Sequence, residues 1–116
     1  MTELVEASEY LWTRRVGRAT IQYGGWVYIM TNRRNGTLYV GVTSRMAARA
    51  WEHRTGAVPG FTKKYGLKLL VYAEPHDRIE AAIHREKAIK NWTRARKVRL
   101  IESANPDWKD LYDQIL

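Results

Sequence analysis

The chain has 116 residues, a formal net charge of +8 and no cysteine. That length suits one domain with a core of its own, while the lack of cysteine excludes both a disulfide framework and a thiolate metal site. No apolar run approaches the roughly 20 residues that span a bilayer, and the acidic start MTELVEASEYLW lacks a signal-peptide pattern, so a cytoplasmic protein, monomeric by default, is expected.

Residues 1–25 read as a variable N-terminal extension ahead of a domain covering 26–116. Leu4, Ala7 and Tyr10 or Leu11 fall at helical spacing, with Arg14, Arg15 and Arg18 behind them. A partly ordered tail is the plain reading. The extension carries three residues of each charge, whereas residues 26–92 carry twelve basic and five acidic ones. A positive charge concentrated on the domain suits a polyanionic partner; a basic surface with no specific partner is the alternative.

Trp26–Met30 and Thr37–Thr43 are rich in aromatic and β-branched residues and flank the turn Arg33-Arg34-Asn35-Gly36, which predicts a β-hairpin. With a four-residue turn, Val27 and Ile29 share a core face with Leu38 and Val40, and Tyr28 falls opposite Gly41 and diagonal to Tyr39. The two phenols and the bare backbone form either a second core face or a functional patch. A helix follows, with Ser44 expected as its N-cap. Met46, Ala47, Ala50 and Trp51 form its apolar side; Arg45, Arg49 and His53 form a polar ridge at i, i+4, i+8. Phenol, guanidinium and imidazole crowded on one edge suit phosphodiester chemistry, which needs acid–base groups and a cation for the developing charge.

Residues 55–66 read as a loop with a short helical turn. Lys63 and Lys64 beside Tyr65 suit either a phosphate-and-base contact or a solvated loop in which Phe61 and Tyr65 are packing anchors. LKLLVYAE (67–74) gives a third strand, ended by Pro75. Asp77 and Glu80 look like a capping box, and a helix runs from about Arg78 to Trp92. Its stripe of Ile79, Ala82, Ile83 and Ile89 contains Glu86. A carboxylate buried unpaired costs several kcal/mol, so Glu86 should hold a cation, either Arg49 or a divalent metal. His84 reads as a surface partner of Glu80, and His76 as a loop residue. Thr93 is placed to cap a further short helix. Lys87, Lys90, Arg94, Arg96 and Lys97 belong to a basic cluster that is either a solvated face or a backbone clamp for nucleic acid. NPDWKDLYDQIL reads as a closing helix, packed by Trp108, Leu111 and Tyr112, with Asp107 and Asp110 facing solvent. The architecture predicted is α/β, a three-stranded, mainly antiparallel sheet flanked by helices. Glycine-rich phosphate loops, zinc spacing and internal repeats are absent from the sequence.

Val27-Tyr28, a ten-residue spacer, Tyr39-Val40-Gly41 and then Arg49, ten residues after Tyr39, resemble the GIY-YIG nuclease domain. The likeness runs from about Trp26 to about Asp110 and is greatest with the small single-domain branch. That branch carries patterns like those at Phe61–Tyr65, Leu70–Glu74, Arg85–Trp92 and Asn105–Tyr112. Trp26 stands where the first motif usually has Gly. The resemblance implies a Mg²⁺- or Mn²⁺-dependent endonuclease, with Glu86 at the position of the metal-binding glutamate. Arg49 would stabilise charge on the phosphate, and Tyr28 and Tyr39 would position a water, with one of them or His53 as general base. DNA ranks ahead of RNA as partner, with Arg45, Lys63, Lys64, Lys87, Lys90, Arg94, Arg96 and Lys97 as backbone contacts and no sequence reader. The alternative is a nucleic-acid-binding module without cleavage; a protein-interaction domain ranks third.

Overall fold

A computed structural model describes residues 23–57 and 59–115. The helix and arginine cluster expected within residues 1–22 lie outside the described residues. Three antiparallel strands form one sheet, β1 (Gly25–Thr31), β2 (Leu38–Thr43) and β3 (Leu69–His76), in the order β2-β1-β3. Helix α1 (Met46–Thr55) follows the hairpin, and the single turn α2 (Phe61–Lys64) leads into β3. Helices α3 (Ile79–Lys90) and α4 (Arg94–Ala104) come next, and the described chain closes on a 3₁₀ turn, Tyr112–Gln114. This is the α/β architecture expected from the sequence.

Central position explains the composition of β1. It has a strand on each side and a packed layer on each face, and all seven of its residues are buried. Alternation then sorts the core. Trp26, Tyr28 and Met30 pack with Met46 and Ala50 of α1 and with Leu111 and Ile115 from the C-terminal segment. Val27, Ile29 and Val40 pack on the other face with Ala82 and Ile89 of α3, Ile101 of α4 and Trp108. The hairpin register is the one the four-residue turn predicts, with Tyr28 opposite Gly41 and Val27 opposite Val42. Asn35 takes a left-handed φ of 58° in the turn, and a Cβ on Gly36 would come within 2.0 Å of Asn32 Oδ1. Arg94 Nη2 donates to the Asn35 and Gly36 carbonyls, both at 2.7 Å, and so ties α4 to the turn.

Several expected boundaries move, each for a local reason. Ser44 is not the cap of α1: the Arg45 amide donates to Thr43 Oγ1 at 3.0 Å, and the helix starts at Met46. Asp77 does not cap α3 either. Arg78 is its N-cap residue, with extended backbone, and the Asp77 carbonyl accepts from the Gly24 amide. Pro75 does not end β3; it pairs opposite Trp26 on an edge strand, where a missing N–H is tolerated. His76 is therefore a strand residue. Trp51 is 55% exposed and Ile83 37%. Both lie beside stripes that run through Met46, Ala50 and His53 in α1 and through Ala82, Glu86 and Ile89 in α3. Thr93 does cap α4, its hydroxyl accepting from the Arg96 amide at 3.2 Å.

The closing helix is replaced by a tied-down segment with a single 3₁₀ turn. Asp110 is not a solvent-facing residue: its Oδ1 accepts from the amides of Leu70 and Tyr112, and its other oxygen pairs with Arg54. Asn105 has the larger task. A register shift in β3 pairs Ile29 with Tyr72 but Met30 with Leu70, which leaves Val71 out of the ladder. Asn105 Nδ2 donates to the Val71 carbonyl at 3.0 Å, and its Oδ1 accepts from the Lys109 amide. Replacing Asn105 with Ala strands a buried carbonyl. We expect a loss of about 1–3 kcal/mol in urea unfolding, with the m-value unchanged.

Candidate active site

The site begins with a glycine. A Cβ on Gly41 would lie 2.4 Å from Tyr28 Cζ and 2.5 Å from its hydroxyl, so the Tyr28 ring lies over bare backbone. Placed there, the ring is 2% exposed. Its Oη is 2.9 Å from His53 Nε2, and the other imidazole nitrogen, Nδ1, is 3.0 Å from Thr62 Oγ1. Tyr39, half-buried, completes a three-ring cluster: its centroid is 6.2 Å from that of Tyr28 and 5.8 Å from that of His53. The sheet thus supplies two phenols, α1 the imidazole and α2 the threonine.

Position in the core fixes the charge states. Burial, reinforced by Tyr39 and Glu86 and opposed by Arg49, raises the Tyr28 phenol well above its ordinary value of 10.0. Burial and the Arg49 cation lower His53 below its ordinary 6.5, against a smaller opposing effect of Glu52. At neutral pH both partners are uncharged. The ridge expected along α1 therefore divides. Arg45 is exposed, Arg49 is part-exposed, and His53 turns into the core. Glu52 holds both arginines, with its carboxylate 3.6 Å from Arg49 Nε and 3.8 Å from Arg45 Nη2.

Glu86 occupies the inward stripe of α3 and is 7% exposed. The sequence offered Arg49 or a metal as its cation. In the structure Lys90 pairs with it, Nζ to Oε2 at 2.7 Å, one turn along the same helix. The pair holds the Lys90 ammonium above its ordinary value, chiefly through the hydrogen bond to Glu86. Glu86 adds to the rise of the Tyr28 phenol, and Tyr39 adds to that of the Lys90 ammonium. Among the described residues, no group of three or more His, Cys, Asp or Glu side chains forms a ready-made metal site.

Of the other basic residues, Lys63, Lys64 and Lys87 are exposed. Lys64 Nζ lies 5.4 Å from the centre of the Tyr65 ring. Arg94 is engaged by the hairpin turn, Arg96 stacks 3.7 Å over Trp92, and Lys97 is half-buried. Glu80 pairs with Arg78 rather than with His84.

Sequence reasoning missed three things. Thr62 gave no signal, because its role depends on a fold that brings α2 onto α1. Phe61 and Tyr65, taken as packing anchors in one reading, are 46% and 47% exposed. The third is a buried cluster on the opposite face of the sheet. Glu74, 1% exposed, accepts from Tyr72 Oη at 2.6 Å and from Arg85 Nε at 3.1 Å, and lies 2.6 Å from His76 Nε2. Strand alternation puts residues 72, 74 and 76 on one face and could have revealed it. With a donor on each oxygen, this carboxylate is a structural anchor between β3 and α3.

A glycine beneath one tyrosine, a second tyrosine in ring contact with the first, and a histidine against both bring the two short motifs together in space. The GIY-YIG catalytic domain profile matches residues 24–99. The chain belongs to the GIY-YIG family. A UPF0213 protein of Desulfotalea psychrophila is 34% identical over 89 residues, covering 75% of this chain and 80% of that protein. A UPF0213 protein of Staphylococcus haemolyticus is 35% identical over 77 residues, covering 66% of this chain and 93% of the relative. No solved structure gives a significant match. The domain is of the nuclease type and its substrate class is nucleic acid. No helix among the described residues is long and apolar enough to cross a membrane.

The neutral, buried His53 makes a measurable prediction. Its folded pKa is below 6.5, so near pH 6 the unfolded state binds more protons than the folded one. Stability should be highest above about pH 6.5 and fall as the pH drops towards the folded value. Histidine ring NMR should show His53 titrating below 6.5, and the His53→Gln variant should lose this share of the acid destabilisation.

Proposed function

We propose that the protein is a metal-dependent endonuclease that hydrolyses phosphodiester bonds by backbone- or structure-directed recognition, with DNA as the polymer the family resemblance favours. The carrying observation is the contact between Tyr28 Oη and the Nε2 of a neutral, buried His53. A phenol with a raised pKa is by itself a poor base at neutral pH. The imidazole behind it can take the proton instead.

In this reading, a water is oriented at the phenol pair, where Tyr39 is the more exposed member. The pair accepts one proton from the water and passes one on, from Tyr28 Oη to His53 Nε2. The hydroxide forms a bond to phosphorus as the bond to the 3′-oxygen breaks, and the leaving oxygen takes a proton from solvent. The relay needs Nδ1–H donated to Thr62 Oγ1, which leaves the Nε2 lone pair free for Tyr28. Arg49, part-exposed and held by Glu52, stabilises negative charge on the phosphate oxygens.

The donor set fits one divalent cation. Glu86 is a nearly buried carboxylate in an otherwise apolar stripe, and it already has an ammonium on one oxygen. Mg²⁺ is commonly held by one or two carboxylates, with water and substrate phosphate filling the remaining positions. Glu86 would hold Mg²⁺ or Mn²⁺, which when bound neutralises charge on the phosphate and on the leaving oxygen. Arg45, Lys63, Lys64 and Lys87 supply backbone contacts in this reading; Arg94 and Arg96 are engaged within the fold.

Labelled single-stranded, duplex and branched DNA, and RNA, should be incubated with wild type in Mg²⁺, Mn²⁺ or EDTA. Cutting should require metal. Arg49→Ala and Glu86→Gln should each reduce it at least ~100-fold while remaining folded and able to bind. The acid limb of the rate profile should have its midpoint below pH 6.5, because His53 must be neutral to accept a proton. A folded wild type that binds DNA in a salt-sensitive way but never cuts would replace this reading with the binding module.

A further inference from the structure

We infer that Phe61 and Tyr65 form a stacking platform for unpaired bases. The preferred substrate would then carry single-stranded nucleic acid next to the bond that is cut. The inference rests on the nucleic-acid reading of the site and names the form of its substrate.

Three rings make a continuous path outward from the site. Tyr39 and Phe61 stack at 6.3 Å with an interplanar angle of 26°, and Phe61 meets Tyr65 at 4.7 Å. Tyr39 belongs to the phenol pair; Phe61 and Tyr65 are nearly half exposed. Rings of this size normally gain by burial. Two adjacent rings left open to water are therefore a surface that needs an explanation. Charge selects the occupant. Lys63 and Lys64 lie on the same short turn, Lys64 Nζ is close to the Tyr65 ring, and the whole chain is at +8. Aromatic faces beside ammonium groups match a strand that presents flat bases on an anionic backbone. A paired duplex keeps its bases stacked on one another and offers the rings only its sugar–phosphate surface.

The same turn is fastened to the proton relay. Thr62, between Phe61 and Lys63, is 5% exposed and bonded to His53. The platform is thus held at a fixed offset from the catalytic imidazole, and stacked bases would set the position of the neighbouring phosphate.

The test is binding in EDTA, which separates it from cleavage. Fluorescence anisotropy would compare a labelled single strand, a blunt duplex and an abasic single strand on wild type, Phe61→Leu, Tyr65→Phe and Phe61→Leu/Tyr65→Leu. Leucine keeps apolar bulk and removes the ring, and circular dichroism checks the fold. The double variant should lose single-strand affinity by about 5- to 150-fold, the worth of one stacked base. Its duplex affinity should change less than about twofold, Tyr65→Phe should bind as wild type does, and the abasic strand should bind wild type as weakly as the double variant binds the normal strand. Equal losses on single strand and duplex, or no loss on either, would overturn the platform. Selective binding by a wild type that never cuts would keep the platform and sink the nuclease reading instead.

Discussion

Tyr28 lies against the backbone of Gly41, and the rest of the site depends on that contact. Any side chain at position 41 would occupy the space of the phenol. The contact exists because the hairpin pairs 28 with 41, and a slip of one residue would turn Tyr28 to the opposite face. Register is held from several directions. The central strand is buried on both faces, Arg94 grips the turn carbonyls, and β3 is anchored by Asn105 and Asp110. Contacts far from the site thus serve to place one ring against one glycine.

The second constraint is electrostatic. A buried group tends towards its neutral form. The phenol is pushed up and the imidazole down, and two groups with ordinary values of 10.0 and 6.5 meet uncharged across one hydrogen bond. Nearby charges are managed in pairs, Glu52 with Arg49 and Arg45, and Glu86 with Lys90. Desolvating an isolated carboxylate costs several kcal/mol, which the ammonium offsets. Lys90 remains about half exposed, so it can withdraw towards solvent more readily than Glu86 can. A carboxylate whose partner is half exposed is suited to exchanging one cation for another.

The sequence made the hairpin register legible because aromatic, β-branched and turn residues alternated without conflict. Glu86 was legible as a carboxylate within an apolar stripe, although its partner was not. Lys90 lies one turn away on the same helix and looked like one more surface lysine. The capping assignments at Ser44 and Asp77 failed because neighbouring groups, Thr43 Oγ1 and the Gly24 amide, claimed the local hydrogen bonds first. His53 followed a polar spacing on α1, but a three-residue phase difference from Ala50 also fits the buried stripe, and tertiary packing decided between them. Trp51 went the other way for the same reason. Thr62, Asn105 and Asp110 act through partners 9, 34 and 40 residues away, and no local pattern announces contacts of that kind.

Thr62 also joins the two halves of the surface. A hydroxyl can donate or accept, and an imidazole nitrogen does whichever its tautomer allows. If Thr62 accepts from Nδ1, Nε2 is free to take the Tyr28 proton; if Thr62 donates, Nε2 already carries a hydrogen and cannot. That threonine sits on a four-residue turn whose neighbours, Phe61, Lys63 and Lys64, are all exposed. In the proposed platform, a strand resting on those neighbours would act on the backbone that carries the hydroxyl. Under the proposed relay and platform, substrate position and readiness of the base would be linked through a single 3.0 Å contact rather than through a long-range rearrangement.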